Sequence, residues 1–348
     1  MIKKLSAYLI ILILLLNATA CGQTGKKRYE AEFLFLFDTL TRIVGYAESK
    51  EEFREMTQEI YDNLEEYHQL YDIYNDYKEI NNLKTINDNA GIKPVQVDQR
   101  IIDLLTFSKD VYNKTNGKVN IAFGAVLKLW HDYRTEGVDN PEEAQLPPMD
   151  ELIAASEHTN IEDLIINQEA GTVYIKDPDM RLDVGAIAKG YAVEQASKRA
   201  KDQGFTDFLI SVGGNVRAMG TKQDSGELWQ VGVQNPDEED NKPSLLMTYF
   251  TDKSMVTSGV YERYYTVDGK KYHHIIDSET LMPTEHFIAV TIITPDSGMA
   301  DALSTAIFNM TFEEGLEMIE GLPDTEAMWI KPDGEILFSS NFEEFILE

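Results

Sequence analysis

The chain has 348 residues, of which 31 are Lys or Arg and 60 are Asp or Glu, and its formal charge is −29 at pH 7. Such an excess of acid repels nucleic acid and anionic lipid, so we expect neither base recognition nor a polybasic membrane contact. An anionic ligand would need a bound cation or backbone N–H groups to offset this charge.

The N-terminus reads as a secretory leader. Residues 1–20 carry two lysines and no acid, and an apolar run from Tyr8 to Leu16 stops just before the small residues 18–20. This pattern indicates a signal peptide whose apolar part is too short to span a bilayer well. Cys21 follows directly and is the only cysteine, as in a bacterial lipobox, with Ala18 where leucine is usual. We therefore predict a lipid anchor at Cys21 on the extracytoplasmic face of the membrane.

The mature chain is predicted to be one domain on a tether. Removing residues 1–20 takes away two lysines and moves the formal charge from −29 to −31. Residues 21–29 are mostly polar and contain glycine, which is typical of a flexible tether. Residues 30–348 form the predicted globular domain, and their number allows a large hydrophobic core. With Cys21 used as the anchor, no disulfide can form inside that domain.

Hydrophobic periodicity predicts a mixture of helices and strands. Ser49 to Glu52 form a capping box, and apolar residues then recur at helical spacing up to Tyr67. Further helices are predicted at about 98–114, 186–203, 299–309 and 312–320, and strand patterns occupy about 35–46, 163–177, 207–213, 228–234, 244–250, 263–276, 287–294 and 327–339. The strands come in runs, which favours an α+β fold with largely antiparallel sheets and packed helices.

The segment from Arg181 to Ala192, RLDVGAIAKGYA, is the first candidate for chemistry. Gly185 and Gly190 do not form a dinucleotide fingerprint, and no phosphate-binding Gly-Lys-Ser/Thr follows. A strand that turns through Gly185 into a helix would still expose N–H groups that can hold a phosphate. The alternative is that Asp183 only caps the helix and the glycines allow close packing.

A second candidate segment runs from Ser297 to Ala306. Asp301 and Thr305 are four residues apart and would project from one face of a helix. A carboxylate and a hydroxyl are oxygen ligands of the kind that magnesium accepts beside phosphate oxygens and water. The alternative is an N-cap aspartate and a threonine bonded to its own helix.

A third segment ends in His273, His274 and Asp277. Adjacent residues at the end of a strand point to opposite faces, so at most one of these histidines faces a given site. Asp277 could orient the His274 imidazole only if the chain turns. The concentration of two of the six histidines beside Ser258 and Arg263 favours a functional site.

Taken together, these segments closely resemble the ApbE family, the FAD:protein FMN transferases. The resembling blocks cover nearly all of the mature chain in the family's order: Phe37–Thr39, Tyr74–Asn75, Asn120–Gly124, Leu127–Trp130, DVGAIAKGYA, Ser211–Asn215, Val231–Pro236, VTSGVYERYY, YHHIID and DALSTA. The resemblance implies the ApbE-like (T-fold-like) architecture.

The resemblance also implies an activity. An enzyme of this kind splits the pyrophosphate of FAD and moves the FMN half onto a threonine or serine hydroxyl of an extracytoplasmic acceptor protein, and AMP leaves. Two alternatives remain open from the sequence. Water could replace the acceptor hydroxyl, which gives a FAD pyrophosphatase, or the chain could be a flavin-binding lipoprotein without catalysis.

Several site residues follow from the resemblance. Magnesium would be held by the Ala186 carbonyl and by the side chains of Asp301 and Thr305. Tyr74 matches the position that packs on adenine, although it lies in a tyrosine-rich stretch where a structural role is ordinary. The remaining assignments are Asp183 and Lys189 in the FAD-contacting loop, Ser258 and Gly259 near the diphosphate, His274 as a phosphate contact or general base, and Asp277 as a second candidate for the base.

The chain departs from the family pattern at three positions. Ser278 replaces a proline after HIID, and Leu281 stands where glycine is usual. A turn that uses the positive φ of glycine would have to be rebuilt around Leu281. Glu194 replaces an aspartate, which is a milder change.

Overall fold

The computed structural model describes residues 25–237 and 242–346. The predicted signal peptide and Cys21 lie outside the described residues. Within those residues, no helix combines the length and apolarity needed to cross a bilayer.

The helices and strands alternate in groups along the chain. The helices of the described residues are α1 Lys50–Tyr71, α2 Leu83–Asp88, α3 Gln99–Lys114, α4 Gly124–Asp139, α5 Met149–Ser156, α6 Ala188–Asp202, α7 Ser297–Phe308 and α8 Phe312–Glu320. The strands are β1 Lys27–Leu36, β2 Thr39–Ala47, β3 Val95–Gln96, β4 Leu164–Asn167, β5 Thr172–Ile175, β6 Phe208–Val212, β7 Asn215–Met219, β8 Trp229–Gln234, β9 Ser244–Phe250, β10 Ser254–Gly259, β11 Tyr264–Val267, β12 Lys270–His273, β13 Ala289–Thr294, β14 Glu326–Ile330 and β15 Ile336–Phe338.

The main sheet has eight strands in the order β1-β2-β6-β7-β10-β13-β14-β15. Every neighbouring pair in it is antiparallel. Three smaller sheets, β11-β12, β3-β5-β4 and β8-β9, are antiparallel as well. The predicted α+β class with largely antiparallel sheets is confirmed.

Helices cover one face of the main sheet, and a β-ribbon covers the other. Helices α1, α6, α7 and α8 contact the sheet, and their side chains form a large core with its inner face. On the opposite face, β8 and β9 bury a second core that includes Tyr46, Trp229 and Phe250. A third, smaller core joins α4 and α5 to β11 and β12 and includes Trp130, Tyr265 and Leu281.

The N-terminal edge of the fold differs in detail from the sequence prediction. Residues 27–29 were expected in the tether, but they pair with β2, and Lys27 lies opposite Ala47. The ring of Tyr29 stacks on Phe53 of α1 at 5.4 Å, which ties this segment to the core. The ordered domain therefore begins at least three residues before the predicted boundary, because Tyr29 contributes an apolar surface to it.

Helix α1 begins where the sequence predicted. The Ser49 hydroxyl accepts the Glu52 N–H at 3.1 Å, which satisfies one of the free amides of the first turn. The Glu52 carboxylate accepts from the N–H of Glu48 rather than from Ser49. Only half of the predicted capping box therefore forms.

Candidate active site

Asp301 is fixed at the centre of the candidate site. It lies on α7 and is 4% exposed. Its Oδ2 accepts hydrogen bonds from the Gly190 N–H at 2.9 Å and from the Asn215 amide at 3.1 Å, while its Oδ1 lies 3.8 Å from Lys189 Nζ. Burial raises the pKa of Asp301, and Lys189 and the two donors oppose that rise. One oxygen is thus held by the protein and the other faces a cation.

The turn before α6 exposes a backbone carbonyl beside Asp301. In a regular helix the Gly190 N–H would donate to the carbonyl of Ala186, four residues earlier. Here that N–H donates to Asp301 instead, which leaves the Ala186 carbonyl without its helical donor. Only glycine permits this approach, because an added Cβ would lie 2.2 Å from the Ser297 oxygen and 2.6 Å from Asp301 Cβ.

Thr305 and the serines around it extend the site along α7. Thr305 lies on the same helix, four residues after Asp301, and is partly exposed. Ser304 donates to the Asp301 carbonyl at 2.8 Å, and its oxygen lies 2.8 Å from that of Ser258 on β10. Ser258 is therefore connected to the helix that carries Asp301, as expected for a residue of the same site.

Gly259 ends strand β10 and is buried. An added Cβ there would lie 2.6 Å from the ring of Tyr261, so a side chain would displace that aromatic residue. The glycine allows the chain to turn sharply from β10 towards Arg263.

The second half of the site is built around Asp183. The Asp183 N–H donates to the Ile121 carbonyl at 2.8 Å, and the neighbouring Leu182 is held on both sides by the Asn87 amide. The Asp183 carboxylate accepts the Gly185 N–H at 2.8 Å, so it organises the turn that leads to Ala186. The alternative that Asp183 caps the helix is wrong, because α6 begins at Ala188 with Ile187 as its N-cap and no side-chain cap hydrogen bond.

Three basic side chains surround Asp183. Burial raises the pKa of this carboxylate, and the Gly185 N–H and the charges of His131, Arg263 and Arg134 counteract the rise. Arg134 lies on α4, and its guanidinium is 3.0 Å from Nδ1 of His131. In a protein of formal charge −29, Arg134 and Arg263 form a local cationic region suited to an anionic ligand.

His274 belongs to the same region and is held as a neutral base. Its Nδ1 lies 3.2 Å from the Arg263 carbonyl, which can only accept, so the ring proton resides on Nδ1 and Nε2 carries a lone pair. Burial, followed by the charge of Arg263, lowers its pKa from 6.5 to about 3. His273 points elsewhere, with Nε2 against the Thr284 carbonyl at 2.8 Å.

Tyr74 lies at the edge of this region. Its side chain is 57% exposed, and its ring lies 5.3 Å from the His131 ring at an angle of 31°. The Tyr74 N–H donates to Asp72, which also accepts from Asn75 and Tyr77. Burial acts to raise the pKa of Asp72, but these hydrogen bonds outweigh it and lower the pKa. The loop is fixed while one aromatic face remains open.

Asp277 is occupied by the turn that follows β12. Its carboxylate accepts from the amides of Glu279 and Thr280 and from Lys118. No described contact joins it to His274. The carboxylate therefore stabilises the turn rather than orienting the imidazole.

Leu281 keeps the backbone conformation that glycine would adopt. Its φ is +61°, it is 7% exposed, and its carbonyl accepts the Trp130 indole N–H at 3.0 Å. The expectation that this turn would be rebuilt is wrong. Burial of the leucine in the third core offsets the cost of the left-handed conformation, which is about 1–2 kcal/mol.

A separate cluster of metal-ligating side chains lies outside this site. The ligand atoms of His158, Asp177 and Asp179 are within 4.8 Å of one another. His158 and Asp177 already pair with each other at 2.7 Å, which lowers the pKa of Asp177 despite its desolvation. This cluster was not predicted from the sequence and shares no residue with the predicted magnesium ligands.

Sequence reasoning missed several residues that shape the site. Helix α4 supplies His131 and Arg134, and it was not predicted because its polar and apolar residues form a weak helical pattern. Asn215 and Ser304 lie inside blocks that carried the family resemblance, so their positions were available as a signal. Asn87 had no signal of its own.

The segment from Asp183 to Gly190 carries the turn that Asp183 organises and the N–H that holds Asp301. Arg134 and Arg263 act electrostatically on both Asp183 and the neutral His274. The fold and this site define an enzyme. Comparison with known proteins identifies its kind, since residues 37–329 match the ApbE family. The chain belongs to the ApbE family.

Two relatives of this chain are both named FAD:protein FMN transferase. The chain is 29% identical over 347 residues to a FAD:protein FMN transferase of Treponema pallidum, covering 95% of this chain and 92% of the relative. It is 30% identical over 271 residues to the FAD:protein FMN transferase of Escherichia coli strain K12, covering 74% and 75%.

Solved structures agree with the fold. An ApbE protein from Thermotoga maritima superposes with a TM-score of 0.80 at 28% identity, over 92% of this chain and 100% of that one. The flavin transferase ApbE from Vibrio cholerae gives a TM-score of 0.75 at 24% identity, with the same coverage. At that lower identity the likeness concerns the fold alone.

Proposed function

We propose that this protein transfers the FMN half of FAD onto a serine or threonine hydroxyl of an acceptor protein, through a phosphoester bond, and releases AMP. The observation that carries the proposal is the Gly190–Asp301 hydrogen bond, which sets the Asp301 carboxylate beside the turn whose Ala186 carbonyl lacks its helical donor. The neutral His274 shares Arg134 and Arg263 with Asp183 of the same turn. The printed activities of the relatives support the same reaction.

The residues fit a magnesium ion. Asp301 Oδ1 accepts no backbone or amide hydrogen bond among the described residues and has the Lys189 ammonium 3.8 Å away. The Ala186 carbonyl lacks its helical partner, and Thr305 adds a hydroxyl. All three are oxygen ligands, which magnesium prefers. When bound, the ion would offset negative charge on the phosphate oxygens.

The other side chains would position the FAD and move the proton. Arg134 and Arg263 supply positive charge for the pyrophosphate, and the open face of Tyr74 can stack on adenine. The acceptor hydroxyl oxygen bonds to the FMN phosphorus while the bond from that phosphorus to the AMP oxygen breaks. His274 Nε2 takes the hydroxyl proton, which its neutral state permits. AMP departs as a phosphate monoester.

The location of the reaction is also part of the proposal. The signal-peptide pattern and Cys21 support a lipid-anchored protein on the extracytoplasmic face of the membrane. The acceptor would then be an extracytoplasmic protein with an exposed serine- or threonine-containing motif.

The test uses the protein from residue 22 onwards, incubated with FAD and magnesium, with and without a threonine-bearing acceptor domain. The intact mass of the acceptor and the release of AMP are measured. A mass gain equal to FMN that disappears with a chelator supports the proposal. Free FMN and AMP in the presence of a competent acceptor would indicate a pyrophosphatase, and intact bound FAD would indicate a binding protein.

A further inference from the structure

The tip of the β1–β2 hairpin is a rigid turn in an unusual conformation. Phe37 and Asp38 connect the strands, and both have left-handed backbones with φ of 51° and 55°. Such two-residue turns normally use Asn-Gly, because most residues are strained there. The Phe37 N–H donates to His68 Nδ1 at 3.2 Å, and its ring packs edge-on against the His68 ring at 5.5 Å. The turn is therefore anchored to α1.

Next to this anchored turn, apolar side chains project into solvent. Leu34 pairs with Leu40 and Leu36 pairs with Thr39, so Phe35 is an extra residue in the strand. Phe35 has a φ of +80° and is 78% exposed, while Leu34 and Leu40 are 53% and 45% exposed. A bulky residue in this conformation is strained, and strain of this kind concentrates at functional surfaces.

The charge pattern of β1 changes at the same point. The strand lies at the edge of the main sheet, and its first part carries Lys27, Arg28, Glu30 and Glu32. Charges of this kind protect an edge against pairing with another chain. Residues 33–36 carry none, so the protected edge ends where the apolar tip begins.

The tip lies beside the candidate active site. The Leu40 carbonyl accepts the Gly213 N–H at 3.1 Å, and Asn215, two residues further, donates to Asp301. From strand spacing, Leu40 is within roughly 15 Å of the Asp301 carboxylate. A protein substrate that presents a hydroxyl to the candidate active site would contact the hairpin tip.

The exposed apolar area of the hairpin tip distinguishes a second copy of this chain from a protein substrate as its binding partner. Leu34, Phe35 and Leu40 together expose roughly 300 Å² of apolar surface. A stable dimer of this chain would need about 800 Å² from each copy. A patch of this size suits the brief contact of an enzyme with its protein substrate.

We propose that the hairpin tip formed by Leu34, Phe35 and Leu40 docks the acceptor protein through an uncharged, apolar segment beside its reactive hydroxyl. This proposal rests on the proposed function, since it assigns the surface that receives the protein substrate. The tip then determines the KM for the acceptor and has no part in holding FAD.

The test is the variant Phe35→Gly, because glycine adopts a φ of +80° without strain and the fold is kept while the ring is removed. Leu40→Ser is a second variant. Ile92→Ser is the control, since Ile92 is 71% exposed and lies outside the hairpin. The readouts are the KM for a flavin-acceptor domain, binding of that domain to immobilised Asp301→Asn enzyme, and the Kd for FAD.

We expect both hairpin variants to raise the acceptor KM at least tenfold and to weaken binding of the acceptor domain, with the FAD Kd unchanged and the control equal to wild type. An unchanged KM and unchanged binding would overturn the docking proposal, even if the acceptor still gains the mass of FMN. If no acceptor gains mass while Phe35-dependent binding persists, the proposed reaction fails and the docking surface stands.

Discussion

The Gly190 N–H lies 2.9 Å from Asp301 Oδ2, and this one hydrogen bond sets both the position of the carboxylate and the exposure of the Ala186 carbonyl. Two helices, α6 and α7, meet at this contact, and only the missing side chain of Gly190 lets them approach so closely. The candidate metal site is therefore a product of helix packing as much as of ligand identity.

Gly190→Ala should separate these helices. The added methyl would lie 2.2 Å from the Ser297 carbonyl, which cannot move without shifting the first turn of α7. We expect a loss of about 1–3 kcal/mol in unfolding free energy, measured by urea denaturation, together with loss of activity. Gly321→Ala is the control, because its Cβ would meet only ordinary contacts at 3.4 Å. Equal stability of the two variants would contradict the assigned packing.

Asp301→Asn should abolish magnesium binding and lower turnover about 100-fold or more, because the anionic oxygen ligand is removed. Magnesium titration calorimetry and the AMP-release assay measure the two effects. Asp177→Asn is the matched control, since Asp177 belongs to the other metal-ligating cluster. If Asp177→Asn instead removed the magnesium dependence, the metal would have to be assigned to that cluster.

Protonation of His274 should not reduce the rate of FMN transfer as pH falls through 6.5, where an ordinary histidine becomes protonated. The pKa of His274 in the folded protein is about 3, so the imidazole remains neutral between pH 6.5 and 4. The unfolded chain, by contrast, takes up a proton near pH 6.5, so the contribution of His274 to stability is complete above that pH and is lost as pH falls towards 3.

Arg263→Met should raise the pKa of His274, because the arginine charge is the second largest cause of its depression after burial. The expected result is a new acidic limb in the pH profile of FMN transfer, displaced upwards from that of wild type. Lys331→Met, far from the site at the β14–β15 turn, should leave the profile unchanged. A profile of Arg263→Met that matches wild type would argue against His274 as the base.

Tyr74→Ala should weaken FAD binding about 10- to 100-fold, because stacking on one base contributes about 1–3 kcal/mol. Quenching of flavin fluorescence gives the Kd. Tyr74→Phe keeps the flat ring and should bind as wild type does. An unchanged Kd of the alanine variant for FAD would indicate that Tyr74 has only a structural role in its loop.

At Leu281, glycine should be less damaging than alanine. Both substitutions remove the buried side chain, but only glycine relieves the left-handed backbone, which is a difference of about 1 kcal/mol. Urea denaturation should therefore rank wild type above Leu281→Gly and Leu281→Gly above Leu281→Ala. The reverse order of the two variants would show that the turn relaxes when the leucine is removed.

The long periodic segments were predictable from sequence. Helices α1 and α3 bury one regular face each, so their apolar spacing carries the information. The strand around Ile292 is buried on both faces and is marked by a continuous apolar run. Strand β10 escaped prediction because its burial is set by neighbours distant in sequence, since it lies between β7 and β13. Helix α4 escaped prediction because its apolar and polar residues form a weak helical pattern.

The candidate metal ligands were predictable because they lie in sequence blocks that resemble a family, but the contacts that support these ligands were not predictable. Asn87 holds Leu182 across 95 residues of chain, and Lys118 reaches Asp277 across 159. Such contacts exist only after the fold forms. For this reason the sequence named Asp277 as a second candidate for the base without indicating its contacts in the turn.

Leu281 has a consequence for how distant relatives are recognised. The structure requires a particular backbone angle at this position, and a hydrophobic pocket can stabilise that angle as well as a missing side chain can. A search pattern that demands glycine here would reject this chain and any other that has exchanged glycine for a buried leucine. A description of this position by its backbone torsion angle and its burial would retain such chains, so it would include more distant relatives than a description by residue identity does.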